Sequence, residues 1–145
     1  MSKQIIKTTN GFKTARNFED VIGKLSLAGK DVLVYSRLFT FGRLLGIESV
    51  SSIISILKSA VGETGSLIIP TYTLDSYNTP RVFDEKKSKV VSGVLGEYTL
   101  KDKEFIRTIH PIYSNSVYND TDNYFSKQSK QTCFGKDSFF DLFSK

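Results

Sequence analysis

The strongest constraint on the fold is a pair of short apolar runs separated by one amphipathic segment. The runs DVLVYS (31–36) and SLIIP (66–70) are apolar and compact, which predicts two buried strands. From about Ile47, apolar residues recur along one stripe until Gly62 and Gly65, which predicts a helix between the strands. Two strands joined through a helix form a βαβ unit. We therefore predict parallel neighbouring strands with a right-handed crossover.

The remaining segments extend this unit into a larger α/β fold. At 145 residues the chain has the length of one domain. We predict a single α/β domain over 1–145, with a parallel-containing sheet and flanking helices in three αβα layers. Its polar residues 1–14 are predicted to form a loosely held lead-in. Further predicted elements are a helix capped by Asn17 and ending near Gly29, helices over 92–103 and 121–130, a strand near 114–118 and an apolar-rich segment after a loop around Gly135.

Composition narrows the class of protein. No run of residues reaches the length of a membrane span, and the N-terminus lacks the apolar stretch of a signal peptide. Cys133 is the only cysteine, so neither a disulfide framework nor a multi-cysteine metal site is expected, and we assign no metal. We expect a cytoplasmic protein that does not contact membranes. The net charge of +5 suits an anionic partner, but no aromatic residues are spaced for single-strand stacking, so nucleic acid is not the expected partner.

Two loops leave the same edge of the predicted sheet, where open α/β sheets bind ligands. RLFTFGRLLG (37–46) follows the first strand and carries two arginines, which bind phosphate well, and glycines, which permit close backbone approach. The alternative is a surface loop with incidental arginines. PTYTLDSYNTPRVFD (70–84) follows the second strand and begins with hydroxyl side chains that suit either ligand binding or a structural role.

The only histidine, His110, lies in IRTIHPIYSNS (106–116), with Arg107 before it and Pro111 after it. Proline biases the preceding residue towards an extended conformation, which holds the imidazole ring in one direction. Three roles remain open for His110: a residue that lines a cleft, a buried structural residue, or a catalytic base. No carboxylate lies nearby in sequence, so the role of principal base is the least favoured.

Five motifs in order resemble the antibiotic N-acetyltransferase family, which includes the aminoglycoside 3-N-acetyltransferases and sugar-acetylating relatives. The motifs are YSRLFTFG (35–42), GETGSLIIPTYT (62–73), GVLGEYTL (93–100), IRTIHPIYS (106–114) and FGKDSFFDLF (134–143), and the resemblance covers roughly residues 30–145. This chain departs from the family pattern at Tyr35 and Arg37, which stand in place of histidine and serine. Tyr113 stands where many members have a second histidine.

The resemblance implies an acetyl-CoA-dependent N-acetyltransferase that acts on the amino group of an aminoglycoside or a nucleotide-linked amino sugar. The other interpretation is a non-catalytic α/β binding module that keeps part of the cleft. The implied cofactor-binding residues are Ser36, Arg37, Thr40, Gly42, Arg43, Arg107, His110 and Ser114, and the candidate substrate-binding residues are Thr71, Tyr72 and Thr73.

Family members are much longer than this chain, and the family's presumed catalytic histidine lies in a segment beyond Lys145. The catalytic base is therefore unassigned, with His110 as a weak candidate. Cys133 does not occupy a nucleophile position, whereas Gly135 and Ser138 match positions near the active-site entrance or are a turn glycine and a helix cap. Because the apolar segment FFDLFSK (139–145) needs a covering surface, we expect a C-terminal half or a second copy of the chain to complete the fold.

Overall fold

The computed structural model describes residues 2–74 and 82–145, so part of the predicted loop over 70–84 lies outside the described residues. The strands are β1 (Gln4–Thr8), β2 (Gly11–Thr14), β3 (Val32–Leu33), β4 (Arg43–Leu44), β5 (Leu67–Pro70), β6 (Phe105–Arg107) and β7 (Asn115–Tyr118). The helices are α1 (Ala15–Gly23), α2 (Ile47–Val61), α3 (Val94–Thr99) and α4 (Phe139–Phe143), and short 3-10 turns cover Leu38–Phe41 and Thr121–Asn123.

The main sheet contains the predicted parallel pair. Its strand order is β3-β5-β7-β6, and β3 runs parallel to β5 with Val32 opposite Leu67. The other two pairings, β5 with β7 and β7 with β6, are antiparallel. The predicted α/β class, with a parallel-containing sheet and flanking helices, is confirmed. The first strand is shorter than its apolar run and only half-buried, because β3 lies at the edge of the sheet.

Strand β5 separates two hydrophobic cores. Leu67 and Ile69 belong to the larger core, which includes the buried stripe of α2, whereas Ile68 packs with Phe125 and Phe139. Successive side chains of a strand point to opposite faces of a sheet, so the two cores lie on opposite sides of β5. The arrangement is helix α2, sheet and helix α4, which are the three predicted layers.

The predicted loosely held lead-in is wrong for residues 4–14. Strands β1 and β2 form an antiparallel hairpin, and β4 pairs with the other side of β1 to give a second, three-stranded sheet. Ile5 is fully buried and Ile6 is 6% exposed, and both belong to the larger core. The pairing of β1 with β2 shifts register between Gln4 and Ile6. Such an irregularity lets two consecutive residues face the core, which hides the usual strand alternation.

The first helix begins earlier than predicted. Thr14, not Asn17, is its N-cap, and Asn17 occupies the third helical position. The Thr14 hydroxyl accepts from the Asn17 backbone N–H at 3.3 Å, while the Asn17 side-chain oxygen accepts from the Thr14 N–H at 2.9 Å. This reciprocal pair is a capping box with asparagine in the acceptor position. Helix α1 therefore continues directly from the hairpin.

Two predicted helices are shorter than expected because their polar side chains make other bonds. Ser92 does not cap a helix, and α3 begins after Gly93. Over 121–130 only a 3-10 turn forms, since the Asp120 carboxylate accepts from the backbone N–H groups of Phe125 and Ser126 at 2.8 and 2.9 Å. Side-chain acceptors of this kind compete with helical backbone bonds. No helix in the described ranges 2–74 and 82–145 has the length and apolar character to cross a membrane.

Candidate functional site

A cleft of about 990 Å³ opens where the chain leaves the carboxyl ends of β3 and β5. The sequence predicts a ligand site at this edge of the sheet. Three segments form the walls: the loop after β3, Tyr72 after β5, and the residues that lead into α3. The lining residues are Tyr35, Ser36, Arg37, Leu38, Phe39, Gly42, Arg43, Leu44, Tyr72, Val91, Ser92, Gly93 and Val94.

The loop after β3 is folded by local backbone bonds. Both the backbone N–H and the hydroxyl of Thr40 donate to the Arg37 carbonyl, at 2.9 and 2.7 Å, which closes the 3-10 turn. Thr40 thus holds the loop and does not line the cleft itself. Gly42 has φ +133°, and a Cβ atom there would lie 2.4 Å from the Lys7 carbonyl oxygen of β1. Gly42 is therefore required for close packing against β1 as well as lying on the cleft wall.

Arg37 and Arg43 give the cleft its charge. Both side chains are exposed, and neither forms an ion pair with any residue in the described ranges. No aspartate or glutamate is among the residues that line the cleft. Two cationic groups without a neighbouring carboxylate attract an anion, and guanidinium groups bind phosphate oxygens in a bidentate manner. This wall is suited to a phosphorylated ligand.

Of the three hydroxyl residues predicted to bind substrate, only Tyr72 lines the cleft. Thr71 and Thr73 are fully buried. Their backbone N–H groups donate to the carbonyls of Ser114 and Ile112 at 2.9 and 3.1 Å, which continues the pairing of β5 with β7. Their burial and these backbone bonds favour the structural role for Thr71 and Thr73 over the ligand contact, the two alternatives that the sequence leaves open.

Tyr35 and Tyr72 form an aromatic part of the cleft lining. Their phenolic oxygens are hydrogen-bonded to each other, and their rings meet edge to face. The ring of Tyr72 also meets Tyr113 edge to face, with centroids 5.0 Å apart. Burial, together with the hydrogen bond that it shares with Tyr35, raises the pKa of Tyr72 well above its ordinary range. The Tyr72 hydroxyl therefore stays neutral.

The third wall, residues 91–94, was not predicted as part of the site. The Val91 N–H donates to the Tyr72 carbonyl at 2.8 Å. The Ser92 hydroxyl accepts from the Tyr72 N–H at 3.1 Å and donates to the Pro70 carbonyl at 2.6 Å. These bonds join residues about 20 positions apart, so no local pattern indicates them. Only a serine beside a glycine, directly after a long loop, could have drawn attention to this segment.

Arg107 lies outside the cleft and is surrounded by acceptors. Its guanidinium donates to the carbonyls of Glu85, Ser88 and Thr71 at 2.9, 2.9 and 2.8 Å, and its Nε donates to the Ser114 hydroxyl at 3.2 Å. Ser114 is fully buried and donates in turn to the Thr71 carbonyl at 2.7 Å. These bonds favour a structural role for Arg107 and Ser114 over the predicted contact with cofactor.

His110 is also engaged by the protein. It is 2% exposed, and its Nδ1 accepts from the backbone N–H groups of Ile112 and Tyr113 at 3.1 and 2.9 Å. Burial lowers the pKa of His110, and a hydrogen bond with the backbone of Thr132 acts in the opposite direction. A neutral imidazole that accepts at Nδ1 carries its proton on Nε2. Both ring nitrogens therefore have partners, which favours the structural role over cleft-lining or catalytic base.

The remaining candidates lie in the C-terminal segment and do not line the cleft. Ser138 is the N-cap of α4, since its hydroxyl accepts from the Asp141 N–H at 3.2 Å. The Gly135 N–H donates to the Thr132 hydroxyl at 2.8 Å in a turn. Cys133 is half-buried. The alternative roles of helix cap and turn glycine describe Ser138 and Gly135 well.

Known structures share this architecture over most of the chain. The YokD protein from Bacillus subtilis is similar over 88% of this chain and 58% of its own, with 20% identity and a TM-score of 0.74. AAC-IIIb, solved as a binary complex with CoASH, matches over 89% of this chain and 55% of its own, at 21% identity and a TM-score of 0.72. AAC-VIa bound to sisomicin matches at 17% identity and a TM-score of 0.74. This chain therefore spans little more than half the length of these solved proteins.

Sequence comparison assigns the family. Among curated protein sequences none is a significant match. The profile of one protein family, described as aminoglycoside 3-N-acetyltransferase, matches residues 33–144, which is most of the chain and contains every residue that lines the cleft. The resemblance deduced from the five ordered motifs is confirmed. The chain belongs to the aminoglycoside 3-N-acetyltransferase family.

Proposed function

We propose that this chain binds acetyl-CoA in the cleft and forms the cofactor-binding part of an N-acetyltransferase. The acceptor would be the amino group of an aminoglycoside or of a nucleotide-linked amino sugar. The observation that carries the proposal is the pair of exposed arginines, Arg37 and Arg43, on a cleft wall without carboxylates. Family membership and the CoASH complex of AAC-IIIb support the same cofactor.

Acetyl transfer from a thioester to an amine has three requirements. The phosphates of the cofactor need cationic partners, the thioester carbonyl needs a hydrogen-bond donor, and the attacking amine needs a base. The arginines meet the first requirement, and the hydroxyls of Tyr35 and Tyr72 lie where they can meet the second. No histidine, aspartate or glutamate is among the cleft-lining residues, so the base has to come from outside this set.

That last observation favours a second candidate function. A binding module could hold the cofactor with Arg37 and Arg43 and lack the proton transfer that catalysis requires. The hydrogen bonds of His110 support this alternative, since an imidazole whose two nitrogens are engaged in a buried site is a poor proton acceptor. Both functions predict that the chain binds acetyl-CoA, but only the enzyme transfers the acetyl group to an amine.

Binding is tested by isothermal titration of acetyl-CoA and dephospho-CoA into the wild-type chain, Arg37→Ala and Arg43→Ala. Loss of a charge-assisted bond to phosphate should weaken acetyl-CoA binding by about tenfold for each arginine that contacts it. The arginine that binds the 3′-phosphate should show a smaller loss with dephospho-CoA. Arg16→Ala, an exposed arginine on α1, is the matched control and should bind like the wild type. Absence of acetyl-CoA binding by the wild type would refute the proposal.

Turnover is tested by the release of free thiol from acetyl-CoA in the presence of sisomicin or a UDP-linked amino sugar. Acetylation of either acceptor supports the enzyme and identifies its substrate class. Tight cofactor binding without thiol release supports the binding module. Turnover that survives His110→Asn would show that the base is another residue.

A further inference from the structure

Three tyrosines form a continuous row from the mouth of the cleft into the protein. Tyr35 is 61% exposed at the cleft, Tyr72 is half-buried beneath it, and Tyr113 follows. The ring centroids are 5.9 Å apart for Tyr35 and Tyr72 and 5.0 Å apart for Tyr72 and Tyr113. Both contacts are edge to face, a favourable geometry for aromatic pairs.

Tyr113, the innermost ring of the row, packs against two phenylalanines. The Tyr113 ring contacts Phe134 and Phe140 at centroid distances of 5.5 and 5.9 Å. The backbone N–H of Tyr113 donates to the Nδ1 of His110. These contacts restrict Tyr113, and Tyr113 restricts the ring of Tyr72. The Tyr35–Tyr72 pair therefore packs against further aromatic rings, and packing of this kind helps to orient the side chains of a binding site.

The hydrogen-bond capacity of the pair is only partly used. A phenolic hydroxyl supplies one donor hydrogen and two acceptor lone pairs. In the Tyr35–Tyr72 bond one hydroxyl donates and the other accepts, so the accepting hydroxyl keeps its own hydrogen. Neither phenolic oxygen has another hydrogen-bond partner in the described part of the chain. One O–H donor therefore remains available in the cleft.

We propose that the Tyr35–Tyr72 hydroxyl pair binds a neutral oxygen of the ligand through this free O–H. This inference rests on the proposed function and names the part of the site that receives the reacting end of the ligand. At the reacting ends of the two substrates, two kinds of oxygen have the required chemistry: the thioester carbonyl of acetyl-CoA and a hydroxyl of the amino sugar. Phosphate is a less suitable partner for the tyrosine pair, because Arg37 and Arg43 line the same cleft and bind phosphate better than a neutral hydroxyl does.

The ionisation of the pair agrees with a donor role. Burial and the hydrogen bond with Tyr35 raise the pKa of Tyr72, and a phenol that stays protonated can donate a hydrogen bond at all ordinary pH values. A phenolate would be needed to remove a proton from an amine. The pair therefore orients or polarises an oxygen and does not act as the base.

The test compares the wild type with the double variant Tyr35→Phe/Tyr72→Phe, which keeps both rings and removes both hydroxyls. Titration with CoA, acetyl-CoA and sisomicin separates the two possible oxygens, since CoA lacks the acyl carbonyl. Loss of one neutral hydrogen bond should weaken the affected ligand by roughly threefold to tenfold. Tyr124→Phe is the matched control, because its hydroxyl donates to the Leu142 carbonyl and does not line the cleft.

A second readout uses the absence of tryptophan, which leaves tyrosine as the dominant intrinsic fluorophore. Ligand binding should change tyrosine emission in the wild type and in Tyr124→Phe, and this change should be reduced in the double variant. A cooperative thermal transition close to that of the wild type shows that the double variant is folded.

Each outcome decides the proposal. Weaker binding of acetyl-CoA with unchanged CoA binding supports the thioester carbonyl, and weaker binding of sisomicin alone supports the sugar hydroxyl. Equal loss for CoA and acetyl-CoA, or unchanged affinity for all three ligands, would overturn it. If the wild type binds sisomicin but neither CoA nor acetyl-CoA, the proposed cofactor role fails while the sisomicin comparison still tests the tyrosine pair.

Discussion

The loop after β3 and the segment that begins at the last residue of β6 (residues 107–114) carry similar side chains, yet these side chains have different surroundings. Each contains arginine and a hydroxyl residue near a strand end, and each matches a family motif. In the loop, Arg37 and Arg43 are exposed and without ion-pair partners in the described ranges. In the segment, the Arg107 guanidinium donates to three backbone carbonyls, and the His110 Nδ1 accepts from two backbone N–H groups.

This difference indicates how structural residues can be told from binding residues. The polar groups of a structural residue are already hydrogen-bonded within the protein, whereas those of a binding residue are still available to a ligand. A guanidinium with its N–H groups directed at carbonyls has little left for a ligand, whereas one exposed on a cleft wall has all five donors. The same reasoning distinguishes the buried Ser114 from the free O–H of the Tyr35–Tyr72 pair. Four variants test the contrast between the two regions.

Arg107→Ala should have the largest effect on stability. It leaves the carbonyls of Glu85 and Ser88 without the guanidinium donor, while the Thr71 carbonyl keeps only the bond from the Ser114 hydroxyl. Hydrogen bonds to charged groups contribute about 1.5–3 kcal/mol each, so the free energy of unfolding should fall by about 3 kcal/mol or more. Urea denaturation measures this loss. Arg107→Lys, which cannot reproduce the planar fork, should fall between alanine and the wild type; an alanine variant as stable as the wild type would contradict the structural role.

Gly42→Ala should be the next most damaging change. The backbone at Gly42 has φ +133°, and the new Cβ would lie 2.4 Å from the Lys7 carbonyl oxygen. An unfavourable backbone conformation costs about 1–3 kcal/mol, and the collision adds to it. The control is Gly11→Ala, where φ is +107° but no atom lies within 4 Å of the new Cβ. Equal losses for the two variants would show that packing against β1 is unimportant.

His110→Asn should have a smaller effect that depends on pH. The asparagine oxygen can still accept from the N–H groups of residues 112 and 113, so we expect a loss of about 1–2 kcal/mol at pH 7.5. In the wild type, burial holds the folded-state pKa of His110 below the ordinary value of 6.5. The unfolded chain then binds more protons just below pH 6.5, so stability is full above that pH and falls as the pH decreases.

The measurement for His110 is urea denaturation at pH 7.5 and pH 5.5. The wild type should lose stability between these two values, and His110→Asn should lose less, because the chain contains no other histidine. The same pH dependence in both proteins would show that burial of His110 does not disfavour its protonation.

Arg37→Ala/Arg43→Ala should change stability least. Exposed side chains without partners contribute little, and the free energy of unfolding should stay within about 0.5 kcal/mol of the wild type. Affinity for acetyl-CoA should fall in the same variant, as proposed above. A large loss of stability would show that the cleft wall is held together by these arginines, and the contrast between the two regions would no longer hold.

The hydrophobic pattern of the sequence predicts those elements whose bounds depend on residues close together in the chain. The parallel strands β3 and β5 and the bounds of α2 follow from apolar runs, a 3.6-residue stripe and terminal glycines. The hairpin of residues 4–14 was missed because its register shift buries Ile5 and Ile6 together and removes the alternating pattern of a strand. Strand β6 was not predicted, because it is formed by pairing with β7, which lies beyond the turn of residues 111–113.

The sequence predicted two of the segments that form the cleft, but not which of the candidate side chains line it. Arginines and glycines after β3 indicated the cleft wall, and Tyr72 was identified from its position after β5. The sequence does not distinguish Arg107 from Arg37, because the backbone carbonyls that accept from Arg107 lie 19 to 36 positions away in the chain. Long-range partners of this kind appear only when the chain is folded.

The two cores on either side of β5 limit how this sequence can change length. Deleting one residue from the strand would shift every later side chain to the opposite face, so Ile68 and Ile69 could not both keep their cores. A change of length in the surface turn before β3 alters no such pairing, because most side chains there are exposed. Insertions and deletions among natural variants of this chain should therefore accumulate in that turn and be absent from β5.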